Sequence, residues 1–460
     1  MTAHSAANLS EMDKRSTLHP YTALHTHLKT GPRVIVEAQG IRVRDSDGRE
    51  FIDAMAGLWC VNVGWGREEI AVAVSDQIKK LAYFHSFSSM ATEPSIRLAD
   101  RLVDLAPPGI SKVLFGNTGS DANDTNVKLV WYYNNLLERP AKKKIISRRR
   151  GYHGVTVATA SLSGLDSMHV PFDLPLPQIL HTETPHYWRH APPGMSELEF
   201  SVHLAGELDR LIEQEGPETV AAFIAEPVMG AGGVIPPPEG YFQEIQAVLK
   251  KHDVLFIVDE VICGFGRLGR WFGSDLYQLE PDLMTIAKGL SSGYVPIAAS
   301  LVSERVWQVL LEAGQKFGYF AHGYTYGGHP VGAAAALANL DILENEGLVE
   351  HADRVGAHFQ ECLRQQVGDH PLVGEVRGVG LIAAVELVRD RETREEFAMD
   401  LGVGAQLSSL CLEEGLIARP LPQSSALAFS PPLIVTREDC DEIVDRFARA
   451  LARLEVAAAA

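Results

Sequence analysis

Apolar residues along the chain follow two alternating rhythms. Short runs of strand length, at Val113 to Phe115, Lys144 to Ser147, Ala221 to Ala225, Val254 to Val258, Leu283 to Ile286 and Ile297 to Val302, are separated by stretches with helical spacing. That alternation predicts a mainly parallel sheet covered by helices on both faces, the core of an α/β domain. Ahead of it, Arg33 to Val43 reads as a hairpin turning near Gln39-Gly40, and Asp45 to Gly48 marks a turn before Phe51-Ile52-Asp53. A Thr92-Glu-Pro start opens a helix expected to turn Ile96, Ala99, Leu102 and Val103 inward. After His329-Pro330 an Ala-rich helix (331–345) leads to a second helix and to strands around Val373 to Val376 and Leu381 to Leu387. A helix, two strands and a final helix close the chain, with Ala457 to Ala460 read as a frayed end. The expected fold is a large α/β domain plus a smaller α+β domain built from both ends of the chain, divided as 1–75, 76–328 and 329–460.

Composition narrows the function. With 460 residues, 46% hydrophobic and 22% charged, the chain can bury an ample core and falls in the ordinary globular range. A net charge of -18 repels nucleic acid and anionic membranes. Lys142, Lys143, Lys144, Arg148, Arg149 and Arg150 flank Ile145-Ile146, which reads as a solvated strand edge rather than a nucleic-acid patch. Five cysteines, odd in number and without a Cys-x-x-Cys pair, predict buried free thiols and a reducing compartment. Met1 to Ser5 run into Glu11, Asp13, Lys14 and Arg15 without an apolar core, so no signal peptide is expected, and no run reaches membrane-spanning length. The cytoplasm is the expected location.

Candidate chemistry sits at strand ends. The run Val254 to Val258 delivers Asp259-Glu260 at its carboxyl end, where open α/β sheets bind ligands, and Leu283 to Ile286 delivers Lys288-Gly289. A lysine amine condenses with an aldehyde, and a carboxylate beside a pyridine nitrogen keeps that ring protonated and able to accept electrons. Phe115 to Ser120 passes from a strand into a helix. Its Gly119 and Ser120 amides and the Ser120 hydroxyl form a natural phosphate cradle, although an ordinary Gly-rich turn has the same appearance. Tyr152 could lie on a flat cofactor, and the neighbouring His153 is assigned no acid-base role. Two rival readings are weaker. Gly264 to Gly269 matches a dinucleotide fingerprint, as in a nicotinamide-dependent oxidoreductase, but Asp259-Glu260 intervenes between it and the strand. His181, His186 and His190 are expected in a Pro-flanked loop with no helix to align them on a metal, so no metal site is expected.

Seven ordered motifs carry a family resemblance: Gly57-Leu-Trp-Cys-Val-Asn-Val-Gly64, Asn117-Thr-Gly-Ser-Asp-Ala-Asn-Asp124, Gly151-Tyr-His-Gly154, Glu226-Pro227, Asp259-Glu-Val-Ile-Cys-Gly-Phe-Gly-Arg267, Ala287-Lys-Gly289 and Gly323-Tyr-Thr-Tyr-Gly-Gly-His-Pro330. Over nearly its whole length the chain resembles the class III aminotransferases of the fold type I pyridoxal-phosphate group, and within them the ω-amine:pyruvate branch. The resemblance implies pyridoxal 5'-phosphate as cofactor, Lys288 as its Schiff-base lysine and Asp259 as partner of the ring nitrogen. It implies Tyr152 and Val261 on the two ring faces, Gly119 and Ser120 at the phosphate, Glu226 beside the cofactor, and Thr325 reaching in from a second subunit of a homodimer. Trp59, Phe87 and Tyr152 match aromatic positions of the substrate pocket, and Arg419, in Gly415-Leu-Ile-Ala-Arg419-Pro420, a mobile arginine for the acceptor's carboxylate. The implied activity is ping-pong transfer of an amino group from a ω-amino acid or primary amine to an oxo acid, pyruvate. Aminomutases and racemases share these cofactor residues and form the alternative within the family.

Overall fold

In the computed structural model, which describes residues 6–455, the apolar runs pair into three sheets. Met1 to Ser5 and the expected frayed end at Ala457 to Ala460 lie outside the described residues. The hairpin is β1 (Ile35–Gln39) and β2 (Arg42–Asp45), with β3 (Glu50–Asp53) antiparallel beside β2. The central sheet comprises β4 (Ile110–Gly116), β5 (Lys144–Arg148), β6 (Ile179–Thr182), β7 (Val220–Ala225), β8 (Leu255–Asp259), β9 (Leu283–Ile286) and β10 (Ala298–Ser303). Its order is β4-β10-β9-β8-β7-β5-β6, and every pairing from β9 to β6 is parallel. β10 runs antiparallel to both of its neighbours.

Alternation along the strands feeds two apolar layers. Phe223 and Ala225 of β7, with Phe256 and Val258 of β8, pack against the helices Glu197–Glu215 and Tyr241–Lys251. Ala222, Ile224 and Ile257 point the other way, onto Val127 and Val130 of the helix Gly119–Leu136. Every residue of β7 and β8 is buried, as a strand covered on both faces requires. Further on, β11 (Val373–Val379), β12 (Ile382–Leu387), β13 (Leu416–Ile417), β14 (Arg419–Pro420) and β15 (Ala426–Phe429) follow. The order β11-β12-β15-β14 makes an antiparallel sheet, while β13 joins β3 in parallel with Leu416 opposite Ile52. Residues from both ends of the chain therefore share the first sheet. Phe359, Phe429 and Phe447 stack edge-on beneath the helices Leu348–Val367 and Arg437–Ala452.

Four local expectations are corrected. The helix after Thr92, Glu93–Leu105, turns Ser95, Leu98 and Leu102 inward, and Ile96, about 200° round the helix from Leu98, is 59% exposed. The basic stretch is not a solvated edge. β5 lies between β7 and β6, so Lys142 and Arg148 are buried. Lys142 Nζ donates to the His252 carbonyl at 3.2 Å, and Lys144 pairs with Glu215 at 2.8 Å. All five cysteines are free thiols, but Cys60 and Cys362 are partly exposed and only Cys263, Cys411 and Cys440 are buried. His181 stands on β6 and His190 on the short helix Tyr187–His190, so neither is in a loop. Among the described residues no helix is long and apolar enough to cross a membrane.

Candidate active site

Parallel strands present their carboxyl ends along one edge of a sheet, and the chain's polar strand-end residues gather there. β8 ends on Asp259, β9 runs into Ala287-Lys288, β7 into Glu226, β5 into the turn carrying Tyr152, and β4 into Asn117-Thr118. Together they line a cavity of about 320 Å³. Gly119, Ser120, Tyr152, Glu226, Asp259, Val261 and Lys288 all face it. Cys60 and the segment Val295-Pro296-Ile297, which leads into the reversed strand β10, complete its wall.

Asp259 is held at both oxygens. Asn123 Nδ2 donates to Oδ2 at 2.8 Å, His153 Nδ1 meets the same oxygen at 2.9 Å, and the Val261 amide donates to Oδ1 at 3.1 Å. Asn123 is itself fixed by the Thr285 hydroxyl, which donates to its Oδ1 at 2.5 Å, and Thr285 by Asn126 Nδ2 at 2.7 Å. His153 Nε2 is buried without a partner, which fits the tautomer whose proton sits on Nδ1 and points at the carboxylate. A buried carboxylate with three donors and a single orientation results.

Lys288 is the opposite case. Burial lowers its affinity for a proton, offset in part by Cys60, Asp259 and Glu226, and no carboxylate pairs with it among the described residues. A neutral amine, the nucleophilic form, is thereby favoured. Its backbone is left-handed at φ 42°, as are Trp59 (64°), next to Cys60, and Ser292 (49°), next to Ser291 on the cavity wall. Such conformations cost non-glycine residues energy and collect at functional sites. Glu226 accepts from the Tyr152 amide at 3.1 Å and the Gly230 amide at 2.8 Å, and burial raises its pKa.

At the other end of the cavity the helix Gly119–Leu136 begins. Thr118 caps it, accepting from the Asp121 amide at 3.2 Å, while the Asp121 carboxylate accepts from the Asn117 and Thr118 amides. The Gly119 and Ser120 amides have no backbone partner among the described residues, so the helix start offers them to an anion. A Cβ on Gly119 would come 2.9 Å from Val261 Cγ2, and one on Gly154 (φ 133°) 2.6 Å from Ser120 Oγ. Both glycines keep this recess open.

Four expected residues are not brought into the cavity. Trp59 is buried in an apolar cluster with Met55, Ile262 and Leu421, its indole N–H without a partner. Phe87 lies 44% exposed along a second hollow of about 850 Å³ lined also by Phe320 and Tyr324. Thr325 is exposed, with its carbonyl accepting from the Tyr83 hydroxyl at 2.7 Å. Arg419, on β14, is half-buried without a carboxylate partner among the described residues. Burial lowers its pKa, and the Tyr152 and Tyr21 hydroxyls are near it. The dinucleotide reading fails locally. Gly264 to Gly269 opens no helix, and the Glu260 carboxylate is occupied by the Gly273 and Ser274 amides and the Ser274 hydroxyl.

Compared with known proteins, the chain matches the family model for class-III aminotransferases over residues 25–451. The chain is a class III aminotransferase. This aminotransferase is 51% identical over 455 residues to the diaminobutyrate–2-oxoglutarate transaminase of Halomonas elongata, covering 98% of this chain and 97% of that one. It is 48% identical over 439 residues to gamma aminobutyrate transaminase 1, mitochondrial, of Solanum lycopersicum, covering 95% and 85%. An omega transaminase from Pseudomonas jessenii, solved in complex with PMP, superposes with a TM-score of 0.94 at 50% identity, covering 96% and 97%. The fold is thus that of fold type I aminotransferases, and pyridoxal phosphate is the cofactor of this family. The cavity of the aminotransferase fits that group: an unpaired amine, a fixed carboxylate, free helix-start amides and two glycines that leave the recess open.

Sequence reading missed Cys60 on the cavity wall and Asn123 behind Asp259, and gave His153 no part in the site. A signal for Asn123 was present: Gly119, Asn123 and Asn126 recur at helical spacing, an inward polar stripe on a buried helix. Cys60 and the His153–Asp259 pairing depend on contacts between distant segments, which local pattern does not carry.

Proposed function

We propose that this aminotransferase moves an amino group from a ω-amino acid or primary amine to an oxo acid, pyruvate, in two half-reactions of ping-pong form, with Lys288 and Asp259 as its catalytic pair. The observation that carries the reading is the delivery of an unpaired amine and a fully oriented carboxylate into one cavity by the adjacent parallel strands β9 and β8.

Bound pyridoxal phosphate supplies an aldehyde carbon for the amine to join and a ring that takes up an electron pair. Lys288 would anchor that group, and its free amine, with its lowered pKa, would be suited to hold and move a proton. Asp259 keeps the ring nitrogen protonated by opposite charge, and Asn123 and His153 keep Asp259 in place. Gly119, Ser120 and the helix start would hold the phosphate, and Tyr152, Val261 and Glu226, which line the same cavity, would flank the rest of the group. Arg419 pairs with the acceptor's carboxylate, a role supported by its lack of an anionic partner among the described residues.

The same reading makes the protein a homodimer in which Thr325 serves the partner's site, and it gives Trp59 and Phe87 to the walls of the substrate pocket. Supporting it, Phe84, Phe87, Tyr319, Phe320 and Tyr326 are exposed, and Phe87, Tyr319 and Phe320 share the lining of the second hollow with Lys128 and His322. Free thiols support a cytoplasmic location. The pairing of β3 with β13 supports a smaller domain built from both ends, with boundaries near 75 and 328. A panel of primary amines and ω-amino acids, run on holoenzyme with pyruvate and with 2-oxoglutarate, tests the substrate reading. Efficient use of pyruvate is expected, and transfer restricted to 2-oxoglutarate would overturn it.

A further inference from the structure

The helices Leu348–Val367 and Arg437–Ala452 pack side by side, and neither contributes to the cavity described above. His358 and Cys362 stand four residues apart on the first, hence on one face, and Asp441 reaches them from the second. Three ligand atoms of different kinds converge there. His358 Nε2 lies 2.7 Å from Asp441 Oδ1, Cys362 Sγ 3.4 Å from His358 Nε2, and Cys362 Sγ 3.2 Å from Asp441 Oδ1. Around a tetrahedral zinc with bonds of about 2.0 to 2.3 Å, neighbouring ligand atoms stand roughly 3.3 to 3.6 Å apart. Two edges of the triangle are already close to that spacing. The third opens by roughly half an ångström if a cation replaces the hydrogen between imidazole and carboxylate.

We propose that His358, Cys362 and Asp441 form a site for a divalent transition metal, zinc by preference, with water as fourth ligand, tying the two C-terminal helices together. Binding releases the Cys362 thiol proton to solvent and leaves the imidazole's proton on Nδ1, so a thiolate, a neutral imidazole and a carboxylate face the ion. A thiolate with an imidazole selects zinc over magnesium or calcium. The surroundings favour a cation. The negative charges of Asp441, Glu361 and Asp445 lie around the Cys362 sulfur. Other clusters of ligand type already hold their counter-ions. Arg377 and Arg189 fill the group His186, Glu375 and Glu386, and Lys251 sits on Asp209 beside His252. In Asp13, His19 and His27, each carboxylate oxygen already meets one imidazole, and no thiol is present.

The test uses reduced, chelator-treated holoenzyme titrated with zinc by calorimetry, and with cobalt while the near-ultraviolet difference spectrum is followed. Expected are one zinc per chain, a thiolate-to-cobalt charge-transfer band, and a rise in melting temperature with zinc. Cys362→Ser and His358→Ala should each weaken zinc binding by more than about tenfold, a loss that even residues behind the ligands cause. Asp441→Asn provides a third variant should either fail to fold, and all three should keep transaminase activity in the absence of zinc. Zinc binding of equal strength in wild type and variants, or the absence of both zinc binding and the cobalt band in wild type, would overturn the site.

Discussion

Asp259→Asn exchanges one oxygen for an NH2 group in a carboxylate whose every contact is known. Asn123 and His153 meet Oδ2, and the Val261 amide meets Oδ1. The new amide keeps both contacts at the first position only by turning its oxygen there, and its NH2 then faces the Val261 N–H. One buried donor loses its acceptor, which costs about 1–3 kcal/mol of stability, within what a folded domain tolerates. The effect on rate arises differently. A charge-assisted partner for the ring nitrogen becomes a neutral one, removing about 1.5–3 kcal/mol, or roughly tenfold to a hundredfold in rate. Both half-reactions depend on the same ring charge. Single-turnover absorbance changes, measured separately with an amine and with an oxo acid, should therefore slow by the same factor while the variant still binds cofactor. Wild-type rates, or a loss confined to one half-reaction, would refute the role given to Asp259.

Lys288→Ala should lose the visible absorption of lysine-bound cofactor and nearly all turnover. In the wild type, burial lowers the Lys288 pKa from 10.5 and the neutral amine reacts, so the rate at which apo-protein takes up pyridoxal phosphate should rise with pH to a midpoint below that value, followed by absorbance. Arg419→Ala should slow the oxo-acid half-reaction by roughly tenfold to a hundredfold and spare that of a carboxylate-free amine; equal losses in both would make Arg419 structural. Arg377→Met leaves the buried Glu386 without one of its guanidinium partners and should lower stability by about 3–5 kcal/mol in urea denaturation. Arg377, His186 and Arg189 together outweigh the burial that opposes them and bring the Glu386 pKa to about 2. A depressed carboxylate pKa stabilises the fold fully above the ordinary glutamate value of about 4.3, so acid titration should show that contribution lost as pH falls from there toward about 2.

The central sheet was legible because its strands are continuous apolar runs buried on both faces, and Asp259 and Lys288 were legible because each follows such a run directly. β6 was not, since an edge strand with only Ile179 and Leu180 as apolar residues carries too short a pattern. The two-residue strand β13 owes its existence to a partner far along the chain, Ile52, and β14 is too short to carry a pattern of its own. Ile96 was misplaced by taking hydrophobicity for inwardness, whereas the small polar Ser95 is the residue that faces in and closes the capping box with Thr92. The basic stretch was misjudged for a similar reason. Charge suggested solvent, but the Arg148 guanidinium is buried, near the rings of Tyr241 and Phe242 and donating to the Glu226 carbonyl at 2.6 Å.

The left-handed residues around the cavity set two kinds of fitness against each other. At Trp59, Lys288 and Ser292 the backbone holds conformations that suit glycine, and Lys288 adds a buried amine with no carboxylate paired to it among the described residues. Each such residue costs about 1–3 kcal/mol. Glycine at 288 would remove both penalties, so the inactive variant should outlast the wild type on heating when both are free of cofactor. Evolution toward turnover and evolution toward heat resistance pull in opposite directions at these positions. A screen that scores survival at high temperature alone would discard the lysine first.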